Sequence, residues 1–428
     1  MKAFKDMTRA ELAAAKAELL ERYQKYKDMD LSLNIARGNP STAQLDMIMP
    51  MMDVIRSTTD CRDIYGTDAR NYGALLGLKE AREFFGEMLG TTVDETIVVG
   101  ASSINFMYDC LSRAMLKGVL GSEKPWVKYD KIKFICPVPG YDRHFSMCEF
   151  FGIEMIQVPT YEDGPDVDLI RKHVEFDPTV KGMWCIPKFS NPLGITYSDD
   201  VVRALANLKP AAKDFRIFWD NSYMVHHIYG DVKLLNILDE CKKAGNPDMV
   251  YMFGSTSKIT MAGSGIGFFG ASAANIKFTE NQVKYETISW DKMNMLRHLR
   301  FIKSQGGIEK IMQKHANILR PKFDTVFEVL ERELAGKGAG SWTKPKGGYF
   351  ITFIANDGTA TRINELVKAC GVTMTGPGAT HPFHHDPDDR YLRIAPSFPP
   401  VEELRPAMEV FAVSAQIATI ESIEAQYE

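Results

Sequence analysis

The chain lacks any apolar run long enough to span a bilayer. Its opening residues, MKAFKDMTRAELAAAKAELLERYQKY, mix charges throughout and have no apolar centre, so no secretory signal is expected there. The seven cysteines are scattered, an odd number with no CxxC pair and no zinc-like spacing. That argues against a disulfide scaffold or a zinc module and for a reducing, cytoplasmic compartment. Nor is there an excess of positive charge: 51 Lys and Arg face 55 Asp and Glu, a formal net charge of -4. No broad electropositive field is available for nucleic acid or an anionic membrane. Internal repeats, low-complexity segments and long charge runs are missing as well.

What remains is the composition of an ordinary globular protein, 45% hydrophobic and 25% charged over 428 residues, enough for a large domain and a smaller one. Thr8 with Glu11 three residues on forms a capping box that opens an amphipathic helix. From about residue 50 to 300, apolar strand-like runs alternate with helical segments, the pattern of a parallel α/β sheet. The runs are KFICPV near 133, EMIQVP near 154, GMWCIP near 182, RIFWD near 216, MVYMF near 249 and GIGFFGAS near 265. Beyond them Ile308, Ile311, Leu319, Phe323, Val326 and Leu330 recur at helical spacing, and Pro321 predicts a kink. Gly336, Gly338 and Gly340 close that helix, and mixed strand and helix follow from about 341. The expected division is 1–50 as an N-terminal segment belonging to a small domain, 51–305 as the large domain and 306–428 as the small C-terminal domain.

Polar clusters end several of the strand-like runs: GASS at 100–103, PGY at 139–141, FSNPLG at 189–194, DNSY at 220–223 and GSTSK at 254–258. YLRIAPS stands far downstream at 391–397. Ligands of an open parallel sheet bind at the carboxyl ends of its strands, so these clusters are expected to converge on one crevice. Lys258, at the end of a buried strand and framed by Ser255 and Ser257, is placed to form a Schiff base with a carbonyl cofactor whose phosphate the hydroxyls hold. Each motif has a plain alternative. Lys258 alone reads as a solvated charge, Asp220 as a helix N-cap, Asn191 before Pro192 as a turn initiator, and Tyr141 as a core tyrosine.

Taken together, the order and spacing of the motifs resemble the fold type I pyridoxal-phosphate enzymes, the class I aminotransferases in particular, over essentially the whole chain. LNIARGNPS at 33–41, SNPLG and GSTSKITMAGSG are most similar to aspartate aminotransferases of subgroup Ic. The resemblance implies an α/β fold whose large domain carries a mostly parallel seven-stranded sheet beside a smaller α+β domain. It also implies pyridoxal 5'-phosphate as cofactor, an amino acid and a 2-oxo acid as substrates, and a homodimer with shared active sites.

Single residues acquire roles from it. Lys258 would bind the cofactor and shuttle the α-proton. Asp220 would pair with the pyridine nitrogen, which makes the ring an electron sink. Tyr223 and Asn191 would donate to the phenolate oxygen, and Tyr141 would stack on the ring. Ser102 and Ser103 at a helix start, with Ser255 and Ser257, would hold the phosphate, and Tyr72 would reach the phosphate of the neighbouring subunit. Arg393 would bind the substrate α-carboxylate as a bidentate pair, with the backbone of Gly38 beside it. Arg37 is a candidate for a second carboxylate, with Arg143 and Lys188 as rivals. Many class I aminotransferases carry a phosphate-binding arginine seven or eight residues past the lysine. Here Gly265 and Ile266 stand in that place, and no arginine occurs between Lys258 and Arg297.

Other motifs carry less. His381, His384, His385 and Asp386 suggest a metal, but their segment is proline-rich and lacks zinc spacing, so no metal is assigned. The glycines at 263, 265 and 267 do not open a helix after a first strand, which sets a dinucleotide loop aside. Three readings differ from transamination of aspartate or glutamate: a β-lyase or decarboxylase, an aminotransferase of aromatic or small neutral amino acids, and a cofactor-sensing transcription regulator. The last needs a basic winged-helix module, for which about 50 residues before the large domain leave no room.

Overall fold

The computed structural model describes residues 2–427. Helix Arg9–Lys27 opens on the Thr8–Glu11 capping box, with both reciprocal bonds made. Its buried face is a narrow stripe of Leu12, Leu19 and Tyr23 with Ala15 packed beside it, less amphipathic than the sequence suggested, because the glutamates and the other alanines between them face outward. The short strand β1 (Leu33–Asn34) follows.

Residues 96–270 supply β2 (Thr96–Val98), β3 (Lys133–Val138), β4 (Glu154–Tyr161), β5 (Gly164–Pro165), β6 (Val180–Cys185), β7 (Arg216–Asp220), β8 (Val250–Ser255) and β9 (Gly267–Gly270). They form one sheet in the order β2-β9-β8-β7-β6-β3-β4-β5. Its seven main strands are extended at one edge by the two residues of β5. β9 runs antiparallel to both β8 and β2, and the neighbours from β8 to β4 are parallel. Side chains alternate across the sheet: Ile135, Met183, Ile217, Trp219 and Met252 enter one core, and Phe134, Trp184, Phe218, Tyr251 and Phe253 enter the other. Both faces are therefore buried, as βαβ crossovers require.

The rest of the chain builds β10 (Ser341–Trp342), β11 (Ile351–Ile354), β12 (Val372–Thr373) and β13 (Tyr391–Ile394). β10, β11 and β13 form an antiparallel sheet. Two long helices, Ile308–Leu334 and Val401–Glu424, share one core, in which Phe323, Val326 and Leu330 meet Phe411 and Ile417. The first helix runs without interruption through Pro321. Leu12 and Leu19 enter this same core and β1 pairs with β12, so the N-terminal segment docks on the C-terminal part of the chain. None of the described helices is long and apolar enough to cross a membrane.

Candidate active site

The carboxyl ends of β2, β3, β6, β7 and β8 meet in one cleft. Ser102, Ser103, Tyr141, Asn191, Asp220, Tyr223, Ser255, Ser257 and Lys258 all line it. Of the residues with an expected part in cofactor binding, Tyr72 alone lies elsewhere, 77% exposed on the surface.

Asp220 ends β7, and a turn rather than a helix follows, so it caps nothing. Its carboxylate is buried. Oδ1 accepts from the Ser222 backbone N–H at 3.2 Å and from the Ser222 hydroxyl at 2.5 Å, and Oδ2 lies 3.2 Å from His144 Nε2. The His144 ring is stacked on Trp184 at 4.1 Å between centroids and 9° between planes, which fixes its direction. A buried carboxylate with these partners is a rigid anion aimed at the cleft.

Lys258 follows the turn after β8, its Nζ 5.1 Å from the centre of the Tyr223 ring. Burial pushes the Tyr223 phenol well above its ordinary value, and nearby Asp220 adds to the effect. The Tyr141 phenol is pushed up to about 12, again chiefly by burial. Both phenols therefore stay protonated at neutral pH and can act as donors.

Arg393 on β13 reaches across to this wall. Nη1 donates to Asn191 Oδ1 at 3.1 Å, and Nη2 donates to Thr375 Oγ1 at 3.0 Å and the Ala36 carbonyl at 3.4 Å. The guanidinium lies over the Phe350 ring, 4.7 Å from its centre, while its Nε is buried without a partner. Gly38 packs on that same Phe350 ring so closely that a Cβ there would collide with it. Arg37 is exposed beside it. Lys188, a rival for its role, is buried 3.3 Å from His227 Nε2, and desolvation lowers its pKa to about 8; Arg143 is exposed. His381 lies 3.9 Å from Asp386, but His384 and His385 are exposed. The loop that carries them touches the PGY turn, where the Gly140 N–H donates to the Thr380 carbonyl.

Three contributors were not legible in the sequence: His144, Ser222 and Thr375. His144 had a signal, since it lies three residues past Tyr141 on the first turn of helix Asp142–Phe150, the spacing that brings two side chains to one side of a helix. Thr375 had none, because a chain-distant loop supplies it.

The sequence model of the family described as "Aspartate amino-transferase" matches residues 7–427. The chain belongs to that aminotransferase family. An aspartate aminotransferase of Corynebacterium glutamicum is 42% identical over 405 residues, 94% of this chain and 93% of the other. The crystal structure of an aspartate transaminase from the same organism superposes with a TM-score of 0.95 at 41% identity, covering 98% of this chain and 99% of that one. The α-aminoadipate aminotransferase of Thermus thermophilus, solved in complex with N-(5'-phosphopyridoxyl)-L-leucine, shares the fold at 17% identity and a TM-score of 0.72, over 98% of this chain and 100% of that one. The fold is thus that of the fold type I pyridoxal-phosphate aminotransferases, and pyridoxal 5'-phosphate is the cofactor of the family.

The residues in the cleft of this aminotransferase fit that group. Helix Ser103–Lys117 begins without a side-chain cap, since the Ser102 hydroxyl donates to Asn105 instead, so its first N–H groups are left for an anion. Ser255 and Ser257 hydroxyls stand 2.7 Å apart beside it. Close packing keeps the cradle narrow. A Cβ at Gly267 would meet the Ser102 carbonyl carbon at 2.7 Å, and one at Gly265 would meet Ser257 Oγ at 3.0 Å and the Ala101 carbonyl at 3.1 Å. Neither position that would carry the missing arginine is open to the cleft: Gly265 is tightly packed against Ser257 and Ala101, and Ile266 is buried in the core. Arg297 reaches the loop only at second hand, through Asn294, whose amide donates to the Ser264 and Gly265 carbonyls.

Proposed function

We propose that this aminotransferase moves the amino group between aspartate or glutamate and the 2-oxo acids oxaloacetate and 2-oxoglutarate, as a cytoplasmic homodimer. The observation that carries the reading is the convergence of Lys258, Asp220, Tyr223 and Asn191 on one cleft, with Arg393 bonded to Asn191 at its rim. The extended match to an aspartate aminotransferase supports the choice of substrates. The division into a large domain, 51–305, and a small domain made of 1–50 and 306–428 draws support from the pairing of β1 with β12.

When bound, the cofactor supplies an electron sink for the pair left at the substrate α-carbon. Asp220, held by His144 and Ser222, presents a fixed negative charge at the floor of the cleft. Tyr223 and Asn191 donate hydrogen bonds from one side, and Tyr141 closes another. Ser102, Ser103, Ser255 and Ser257 hold the phosphate with hydroxyls and helix N–H groups. Arg393 binds the α-carboxylate with its planar fork, helped by the backbone at Gly38, and so orients the α-proton toward Lys258 Nζ, which removes it. Tyr72, exposed on a loop tied down where Lys292 Nζ donates to the Gly73 carbonyl, is free to reach a second subunit. Mixing the purified protein with aspartate and 2-oxoglutarate should yield glutamate and oxaloacetate, and Lys258→Ala should abolish the exchange. Exchange at the wild-type rate in that variant contradicts the reading.

One observation favours a second reading, transamination of aromatic or small neutral amino acids. Among the described residues, the cleft lining includes no Arg or His and no lysine besides Lys258, which has its own role, and Arg37 is exposed beside Gly38. Under the main reading, Arg37→Ala raises KM for aspartate more than for alanine. Equal changes for both favour the second.

A further inference from the structure

A chain of buried hydrogen bonds runs from the N-terminal segment to the backbone of Lys258. Its first member is Gln44, fully buried on helix Thr42–Ile48. Gln44 Oε1 accepts from the Ser41 backbone N–H at 3.0 Å and from the Ser41 hydroxyl at 3.3 Å. Because that oxygen must accept, the amide orientation is set, and Nε2 is the donor turned inward. Nε2 lies 2.9 Å from His315 Nδ1 and 3.0 Å from the Tyr349 hydroxyl oxygen.

The remaining proton positions then have one solution. His315 Nδ1 accepts, so its proton is on Nε2, which donates to the Ile259 carbonyl at 2.8 Å. The Tyr349 hydroxyl accepts from Gln44 and donates to the Lys258 carbonyl at 3.4 Å. His226 Nε2 donates to that same carbonyl at 3.3 Å, and its Nδ1 is left without a partner. Burial lowers the pKa of His226 to about 3 and that of His315 below its ordinary value, so each ring is neutral and offers a single N–H. Gln44, His226, His315 and Tyr349 are all buried, so no water competes for these bonds.

The participants come from four separate stretches of chain: the segment after β1, the turn after β7, helix Ile308–Leu334 and the approach to β11. The first of these also carries Gly38, and the Ala36 carbonyl to which Arg393 donates. We propose that Gln44 is a positioning residue for Lys258, coupling the segment that meets the substrate carboxylate to the backbone of the lysine through Tyr349 and His315. This rests on the reading of Lys258 as the residue that binds the cofactor.

Gln44→Glu is the discriminating variant. It keeps the Ser41 cap and removes the inward pair of N–H donors: a carboxylate there accepts from the Tyr349 hydroxyl and draws it from the Lys258 carbonyl, and a carboxylic acid offers one proton where the amide offered two. Tyr349→Phe deletes that one hydroxyl and keeps the ring. Leu319→Ala, in the same core, controls for general loss of stability. In the holoenzyme, hydrogen exchange at the Ile259 and Thr260 amides, both bonded to the Thr256 carbonyl, should rise by about tenfold or more in both network variants and not in the control. The pH midpoint of the cofactor's visible band should also move by about half a unit or more in those two variants alone. Wild-type exchange and midpoint in Gln44→Glu and Tyr349→Phe, or equal changes in Leu319→Ala, overturn the proposal. Borohydride reduction and peptide mapping separate the two levels. A label on Lys258 with unchanged exchange overturns the coupling alone, whereas a label elsewhere overturns the reading beneath it as well.

Discussion

Arg393 illustrates how much of the site depends on the geometry of one side chain. Its two Nη groups are held by Asn191, Thr375 and Ala36, and its face lies on Phe350, so the fork meets the cleft at a fixed angle. An ammonium group keeps the charge but not the two parallel donors or the stacking. Arg393→Lys is therefore expected to raise KM for amino acids by about 10- to 100-fold, the worth of a charge-assisted hydrogen bond, with a smaller change in kcat. Steady-state kinetics check this, and an unchanged KM removes Arg393 as the carboxylate anchor. The arginine itself was legible because YLRIA reads as a strand within a known order of motifs. Its partner Thr375 was not, since nothing local marks a threonine that a distant loop brings within 3.0 Å.

At the level of elements, the strand ends were legible because an apolar run of five or six residues closed by a polar cluster is too short for a buried helix and fits a buried strand. Their convergence followed from the rule that open parallel sheets bind ligands at their carboxyl ends. The direction of β9 was not legible, because GFFG, buried on both faces, reads alike in either sense. That direction matters for the cofactor. Running antiparallel to β8, β9 starts at Gly267 and presses against Ser102 at the head of helix Ser103–Lys117. A methyl group at 267 would push into backbone rather than into a movable side chain. Gly267→Ala is expected to cost about 1–3 kcal/mol of stability and to weaken cofactor retention, measured by denaturant unfolding and by cofactor loss on dialysis. Wild-type behaviour in both would show that the cradle does not depend on this close approach.

Across the whole molecule, buried neutral histidines tie packing to pH. Burial lowers His226 from 6.5 to about 3 and His298 to about 4. An unfolded chain takes up these protons near pH 6.5, and the folded chain takes them up only near pH 3 to 4. Between those limits the unfolded state binds more protons, so stability falls as pH falls, by up to ~1.4 kcal/mol per pH unit for each histidine. Urea midpoints are expected to drop from pH 6.5 to pH 5, and His298→Gln should flatten the decline. Equal stability at the two pH values would contradict the burial of both rings in neutral form. The same histidines show where sequence reading stops. His226 and His298 carry no motif, and their place is set by contacts that exist only once the chain is folded around the segment of Lys258.

The role of Lys258 can be tested without any assumption about substrate. Borohydride reduction of the cofactor-loaded protein, followed by proteolysis and mass mapping, reports which side chain holds the cofactor. A single pyridoxyl-modified peptide containing Lys258 is the expected result. Modification of a different lysine, or none at all in protein that carries the cofactor's visible absorption, would contradict it.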